Sequence, residues 1–222
     1  MTISIIHEDD SLIIINKPAG LATQSANIAQ PDCVSLIKQH LRKIDPNPGS
    51  EPYVGVVHRL DQPVAGLLVF AKTKKAAGIL SRQIREDMMS KHYTAVVEGI
   101  VDVPNYTKLT DMMYKDGRSS RAVIVDDKTA ADGVKEAALL YRTECIMEDK
   151  NLTKVSVKLL TGRFHQIRAQ MSHIGHPIAG DAKYGAKTHY PHGIALAADR
   201  LNFTHPVTGE KVEKVVDFSF TL

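Results

Sequence analysis

His58-Arg59-Leu60-Asp61-Gln62-Pro63-Val64-Ala65-Gly66-Leu67-Leu68-Val69-Phe70-Ala71-Lys72 sets a single carboxylate behind a cation and ahead of a glycine-terminated turn, then runs directly into an apolar stretch. Continuous apolar character from Gly66 to Ala71 predicts a strand covered on both faces. Lys74 to Met89 follows with Ala77, Leu80, Ile84 and Met88 at helical spacing, and His92 to Val101 returns to a strand pattern. Upstream, Ile3 to Ile6 and Leu12 to Ile15 are short β-branched runs joined by the polar turn Glu8-Asp9-Asp10-Ser11. Hairpins mixed with a few helices predict an α+β fold, a mixed and mainly antiparallel sheet with flanking helices and loops.

Between Thr23 and Tyr53 the chain is polar and proline-rich, with one helix expected over Val34 to Ile44 and the rest read as a loop near substrate. Pro104 to Asp132 interrupts the pattern like a hairpin-forming insertion, either an RNA-contacting arm or a plain surface hairpin. Lys154 to Leu159 alternates, which puts its lysines and Ser156 on the wet face of a half-exposed strand. Phe164 to Ile174 suits a helix whose core side carries Ile167, Met171 and Ile174, with His165, Arg168 and Ser172 on another side. Arg163 then sits at a strand-to-helix junction, from which a side chain can be aimed into a cleft.

With 222 residues and 43% hydrophobic content the chain can bury one substantial core, and a single catalytic domain over residues 1–222 is the expectation. No run of about 18 apolar residues and no basic leader before an apolar stretch is present, which points to the cytoplasm and away from membranes. Cys33 and Cys145 form no close pair, so neither a disulfide framework nor a cysteine-rich zinc site is indicated. A net charge of +3 does not by itself indicate a nucleic-acid partner. Its distribution is more informative: six cations against two acids from Ala71 to His92, and five against Asp181 alone from Lys154 to Lys183. Such clusters suit a phosphate backbone, although ordinary solvated helix faces look the same.

Four ordered motifs carry a resemblance over nearly the whole chain. They are Asn16-Lys17-Pro18-Ala19-Gly20; the His58 to Asp61 segment; Lys91-His92-Tyr93-Thr94-Ala95-Val96-Val97-Glu98-Gly99; and Gly162-Arg163-Phe164-His165-Gln166-Ile167-Arg168, which leads to Gly175-His176-Pro177-Ile178-Ala179-Gly180-Asp181 and Tyr184-Gly185. In these the chain resembles the RluA-like pseudouridine synthases, which isomerise uridine in ribosomal and transfer RNA, and it looks like the version without an S4-type RNA-binding module ahead of the catalytic region. The resemblance implies that family's catalytic fold, no cofactor, no metal, structured RNA as partner and no obligate protein partner.

Isomerisation breaks the bond from uracil N1 to the sugar, turns the base, and joins C5 to the same carbon, so the base must first leave its stack. The resemblance implies Asp61 as the catalytic acid, acting as nucleophile or as the base that removes a sugar proton. It implies Tyr93 as the ring stacking on the target base, and Arg163 as the cation that keeps Asp61 ionised. Arg59 matches the position that fills the space of the flipped nucleotide. His58, Lys17, Lys72, His165 and Arg168 are assigned to RNA contact, and Ile167 to the apolar floor of the base pocket. Two departures from the family pattern, Val64-Ala65 and Phe164, remove hydroxyls and bear on target identity more than on reaction type.

Two other functions compete for the same residues. A metal-dependent hydrolase would use His165, His173, His176 and Asp181, but the spacings do not reproduce HExxH, nor is there an HxE with PCxxC. A non-catalytic RNA-binding module would explain the basic stretches and the tyrosine without chemistry.

Overall fold

The computed structural model describes residues 3–27, 29–44, 51–126 and 132–221. Parts of the expected substrate loop (28 and 45–50) and of the expected insertion (127–131) lie outside the described residues. The strands are Ser4–Glu8 (β1), Leu12–Lys17 (β2), Gly55–Val56 (β3), Ala65–Ala71 (β4), Ser90–Glu98 (β5), Thr107–Asp116 (β6), Arg121–Val125 (β7), Lys135–Met147 (β8), Leu152–Leu159 (β9), Leu196–Thr204 (β10) and Lys211–Val215 (β11). The helices are Cys33–Ile44 (α1), Lys74–Arg85 (α2) and Gln166–His173 (α3). The chain divides into two compact units, residues 1–91 with 197–217, and residues 92–196 with 218–222.

In the first unit β4 is the pivot. It pairs antiparallel with β2 and β3 and parallel with β10, and β1 and β11 extend the sheet from β2 and β10. Both faces of β4 are dry, as its unbroken apolar run predicts: Leu67 and Val69 pack with Leu12, Ile14, Leu80 and Phe203, while Leu68 and Phe70 are buried on the reverse face. Gly66 has a φ of +121°, and a Cβ there would lie 2.3 Å from the Ala198 carbonyl oxygen, so β10 can pair closely with β4 only if this residue is glycine.

Helix α2 starts at an N-cap, Thr73, whose side chain accepts from the Ala76 N–H. It ends earlier than the expected Met89, because Asp87 turns into the left-handed region; Met88 is left exposed and Met89 enters the core in its place. Cys33, at the start of α1, is fully buried. None of the described helices is long and apolar enough to cross a membrane.

The second unit is an antiparallel array in the order β5, β9, β8, β6, β7. Its longest strand, β8, has no clear signal in the residues: Lys-Glu-Ala-Ala-Leu-Leu carries good helix formers and no clean alternation, and the exposed Cys145 lies at a bulge. The stretch expected to interrupt the pattern is integral, since β6 pairs with β8 from Thr107 to Met113 before returning through a tight turn to β7. Ser156 of β9 is buried instead of wet, its hydroxyl meeting that of Tyr106 at 3.0 Å. Helix α3 is buried all along Gln166 to Met171, so Arg168, expected on another side from the core residues, is buried with them. Met113, Ala122, Ala137 and Ala169 form a small core, joined by Ile124 and Tyr184, that fastens the β6–β7 hairpin to α3.

Candidate active site

In the first unit the segment around Asp61 is fastened through its backbone. Thr23 Oγ1 donates to the Leu60 carbonyl (2.9 Å) and accepts from the Leu60 N–H (3.2 Å). The Gln62 carbonyl accepts from the Gly20 N–H (2.9 Å), and the Gln62 side-chain amide donates to the Gly20 carbonyl (3.0 Å). The Asp61 carbonyl itself accepts from the Val64 N–H, closing the turn that leads into β4. A carboxylate whose two chain neighbours are both tied to the Gly20–Thr23 segment cannot wander, which is the preorganisation a reacting group needs.

Lys17 corrects an expectation. Assigned to RNA, it is 0% exposed, and its ammonium donates to the carbonyls of Pro18, Leu21 and Gln62 at 3.1, 2.7 and 3.0 Å. All three protons are used inside the protein. Burial lowers its pKa to about 8, against the opposing pull of the nearby Cys33 and Asp61 groups. Lys17 therefore joins the Asn16 to Gly20 segment to the Asp61 loop and sets a positive charge near the carboxylate.

His58 is neutral at ordinary pH, its pKa pushed down to about 3 by burial and, secondarily, by the Lys91 charge. Its Nε2 accepts from the Val69 N–H (3.2 Å), so Nδ1 carries the proton, and that buried N–H has no partner among the described residues. It braces β4 and offers no cation to a phosphate. Arg59 is exposed, with Nη2 donating to Gln24 (3.1 Å). Lys72 is bonded to Glu8 (2.8 Å), a carboxylate that also meets His40. Four exposed cations of this unit share one helix, α2: Lys74, Lys75, Arg82 and Arg85.

In the second unit Tyr93 is buried on β5, in register with Val157 of β9. Gln166 fixes the turn before α3, accepting from the Arg163 N–H (2.9 Å) and the Thr161 hydroxyl (2.8 Å) while donating to the Ala138 carbonyl (3.0 Å). The Arg163 side chain is exposed, its Nε on the Glu136 carbonyl (2.8 Å). The arginine that is desolvated is Arg168, held by a two-pronged ion pair with the buried Asp181: Nε to Oδ2 at 2.6 Å and Nη2 to Oδ1 at 2.9 Å. Its burial corrects its assignment to surface RNA contact. The tertiary partner lies 13 residues away, and helical spacing carries no sign of it.

His165 is also neutral, with its pKa lowered to about 3 by burial first and by the charges of Arg168, Lys183 and Lys115 after it. Ile167 is buried. The four residues of the metal reading are each engaged elsewhere: His165 with Tyr184, His173 beside Asp111, His176 with the Glu98 carbonyl, and Asp181 with Arg168. Among the described residues no three His, Cys, Asp or Glu side chains converge as a metal site would require.

The family model described as RNA pseudouridylate synthase matches residues 11–173, a span that holds Asp61, Tyr93 and the arginine segment. Ribosomal large subunit pseudouridine synthase D of Zymomonas mobilis is 31% identical, covering 95% of this chain and 68% of its own length. tRNA pseudouridine synthase C of Pasteurella multocida is 32% identical, covering 96% of this chain and 90% of its own. The same fold is seen in human RNA pseudouridylate synthase domain containing 1, with a TM-score of 0.76 at 24% identity over 98% of this chain. The motifs, the fold and the matched span agree, and the chain belongs to the RNA pseudouridylate synthase family, isomerases that make pseudouridine in RNA.

Proposed function

We propose that this protein acts in the cytoplasm on particular uridines of structured ribosomal or transfer RNA, with Asp61 as its essential catalytic group and without an obligate protein partner. The observation that carries the assignment is the double fastening of Leu60 and Gln62, which holds one carboxylate in place with the Lys17 ammonium nearby. An ionised carboxylate held there suits either attack on the sugar carbon or removal of a sugar proton. In both cases the bond from N1 to the sugar breaks, C5 forms the new bond, the C5 hydrogen is released to solvent and N1, freed from the sugar, takes up a proton.

Tyr93 stacks on the extruded uracil, and Ile167 contributes apolar contact. Arg163 holds its place as the motif cation, but the burial of Arg168 favours a second reading, in which Arg168 is the guanidinium that acts on the reacting groups: a desolvated, oriented charge acts far more strongly than an exposed one. Arg163→Lys and Arg168→Lys, each assayed for turnover after folding is verified, separate the two. RNA approaches the cations of α2, and recognition favours loops and bulges, since the deep major groove of an RNA duplex excludes side chains. Binding that does not weaken as salt rises would exclude this electrostatic surface.

The assay is tritium release from RNA labelled at uridine C5, with wild type and Asp61→Asn on RNA from cells lacking this protein. Release by the wild type alone supports the proposal. Equal release from both removes Asp61 from the chemistry, and RNA binding without release from either returns the non-catalytic reading.

A further inference from the structure

Phe164, between Arg163 and His165 ahead of α3, has a large ring that is 36% exposed. The ring is not loose. It lies flat on the His165 imidazole, with centroids 3.8 Å apart and planes 19° from parallel. His165, with a φ of 50° just ahead of α3, is fixed in turn by Tyr184, which meets its ring edge-on. The Tyr184 oxygen accepts from the Ala122 N–H (2.7 Å), so its hydroxyl proton is available to His165 Nδ1 at 2.9 Å. Three aromatic rings are thus built onto β7, and Phe164 is the outermost.

One cation lies over the outer ring, and others share its hairpin. Lys115 Nζ lies 4.7 Å from the Phe164 centroid, and Lys115, Arg118 and Arg121 are all exposed on the β6–β7 hairpin. Lys183 reaches the same turn, donating to the Ser120 carbonyl (2.8 Å). The acid of the turn, Asp116, accepts from the Arg118 and Ser119 N–H groups and stays ionised, so with Glu136 of β8 and Asp126 beyond β7 it opposes these cations. A lysine over a ring is a weakly held lid that another π-face can displace, after which the same lysine can meet a phosphate.

We infer that Phe164, backed by His165 and Tyr184, is a stacking platform for an unpaired base of the RNA other than the uridine assigned to Tyr93, with Lys115, Arg118, Arg121 and Lys183 taking the adjoining phosphates. The inference rests on the RNA substrate of the proposed function and names a contact that helps choose it. An exposed aromatic ring beside a basic hairpin is how proteins grip unpaired nucleotides, whereas a protein partner would require a wider apolar patch. The hairpin, by sequence either an RNA-contacting arm or a plain turn, thereby gains a role, and its shared core with α3 makes hairpin and platform one body.

The chain has no tryptophan, so Phe164→Trp introduces a single indole at the platform. Titration with unmodified transfer RNA and large-subunit ribosomal RNA transcripts should quench its fluorescence in step with binding, with a midpoint that weakens as salt rises. Phe164→Ala should weaken binding about tenfold, and Phe164→Leu by a similar factor, because apolar bulk does not replace a π-face. Arg118→Ser with Arg121→Ser should reduce the salt slope by about 0.7 for each phosphate that is no longer neutralised. Binding without quenching, wild-type affinity in Phe164→Leu, or an unchanged salt slope would overturn the platform. Asp61-dependent tritium release without quenching sinks the platform alone; quenching without release sinks the catalytic reading and leaves the platform standing.

Discussion

The Asp61 loop and the Arg168 helix both immobilise a charged group, by opposite means. Around Asp61 the constraint is applied to main-chain groups of its neighbours, by Thr23, Gly20 and the Lys17 ammonium. Around Arg168 it is applied to side chains, by the Asp181 ion pair on one hand and the Tyr184 ring, itself edge-on to His165, on the other. A main-chain clamp leaves the central side chain replaceable without loss of fold, whereas in a side-chain network each member supports the rest.

The largest effect expected from this contrast is on turnover. Asp61→Asn should lower tritium release by about three orders of magnitude or more while its melting temperature stays within a few degrees of wild type; a collapse in stability would show that the loop depends on the carboxylate itself. Asp181→Ala reverses the pattern, because it removes both carboxylate bonds from a buried guanidinium. It should cost about 3–5 kcal/mol in urea unfolding, and a loss under about 1 kcal/mol would mean that Arg168 finds water. Lys17→Met, which leaves the Pro18, Leu21 and Gln62 carbonyls without their donor, should cost about 2–3 kcal/mol and slow turnover as well; unchanged turnover would detach Lys17 from Asp61.

The two regions share one titration. His58 and His165 have folded-state pKa values of about 3 against an ordinary 6.5, so as pH falls the unfolded chain takes up their protons first. Their contribution is intact above pH 6.5 and declines as pH falls from 6.5 toward 3, at about one proton per histidine. His58→Gln, with an amide oxygen able to accept from Val69, should remove one proton from that slope in pH-dependent unfolding, and an unaltered slope would place the uptake elsewhere. The smallest effect belongs to Thr23→Val, which keeps the shape and loses both bonds to Leu60: about 1–2 kcal/mol of stability and a few-fold slower turnover.

The main-chain half of this contrast is far easier to read in the residues than the other. β2 and β4 announce themselves as unbroken apolar runs, Gly66 and Thr73 are local signals, and the Asp61 motif is legible in full. That Lys17 is a strut is hidden, since a lysine is ordinarily a surface residue; its place at the end of the buried β2 run is the one available cue. Strand β8 is concealed because Ala and Leu satisfy a helix as well as a strand, and its partners β6 and β9 are set by the sheet. Spacing sets Arg168 apart from the core residues of its helix, because its partner Asp181 comes from beyond the helix, a distance over which periodicity carries no information.

The two cysteines differ in a way that has a practical use. Burial pushes the Cys33 thiol up to about 11, so it holds its proton and resists alkylation, whereas Cys145 stands exposed at the β8 bulge. A maleimide dye added to the unmutated protein will therefore attach at one known place in the second unit, giving a single-site fluorescent reporter with no engineering of the chain.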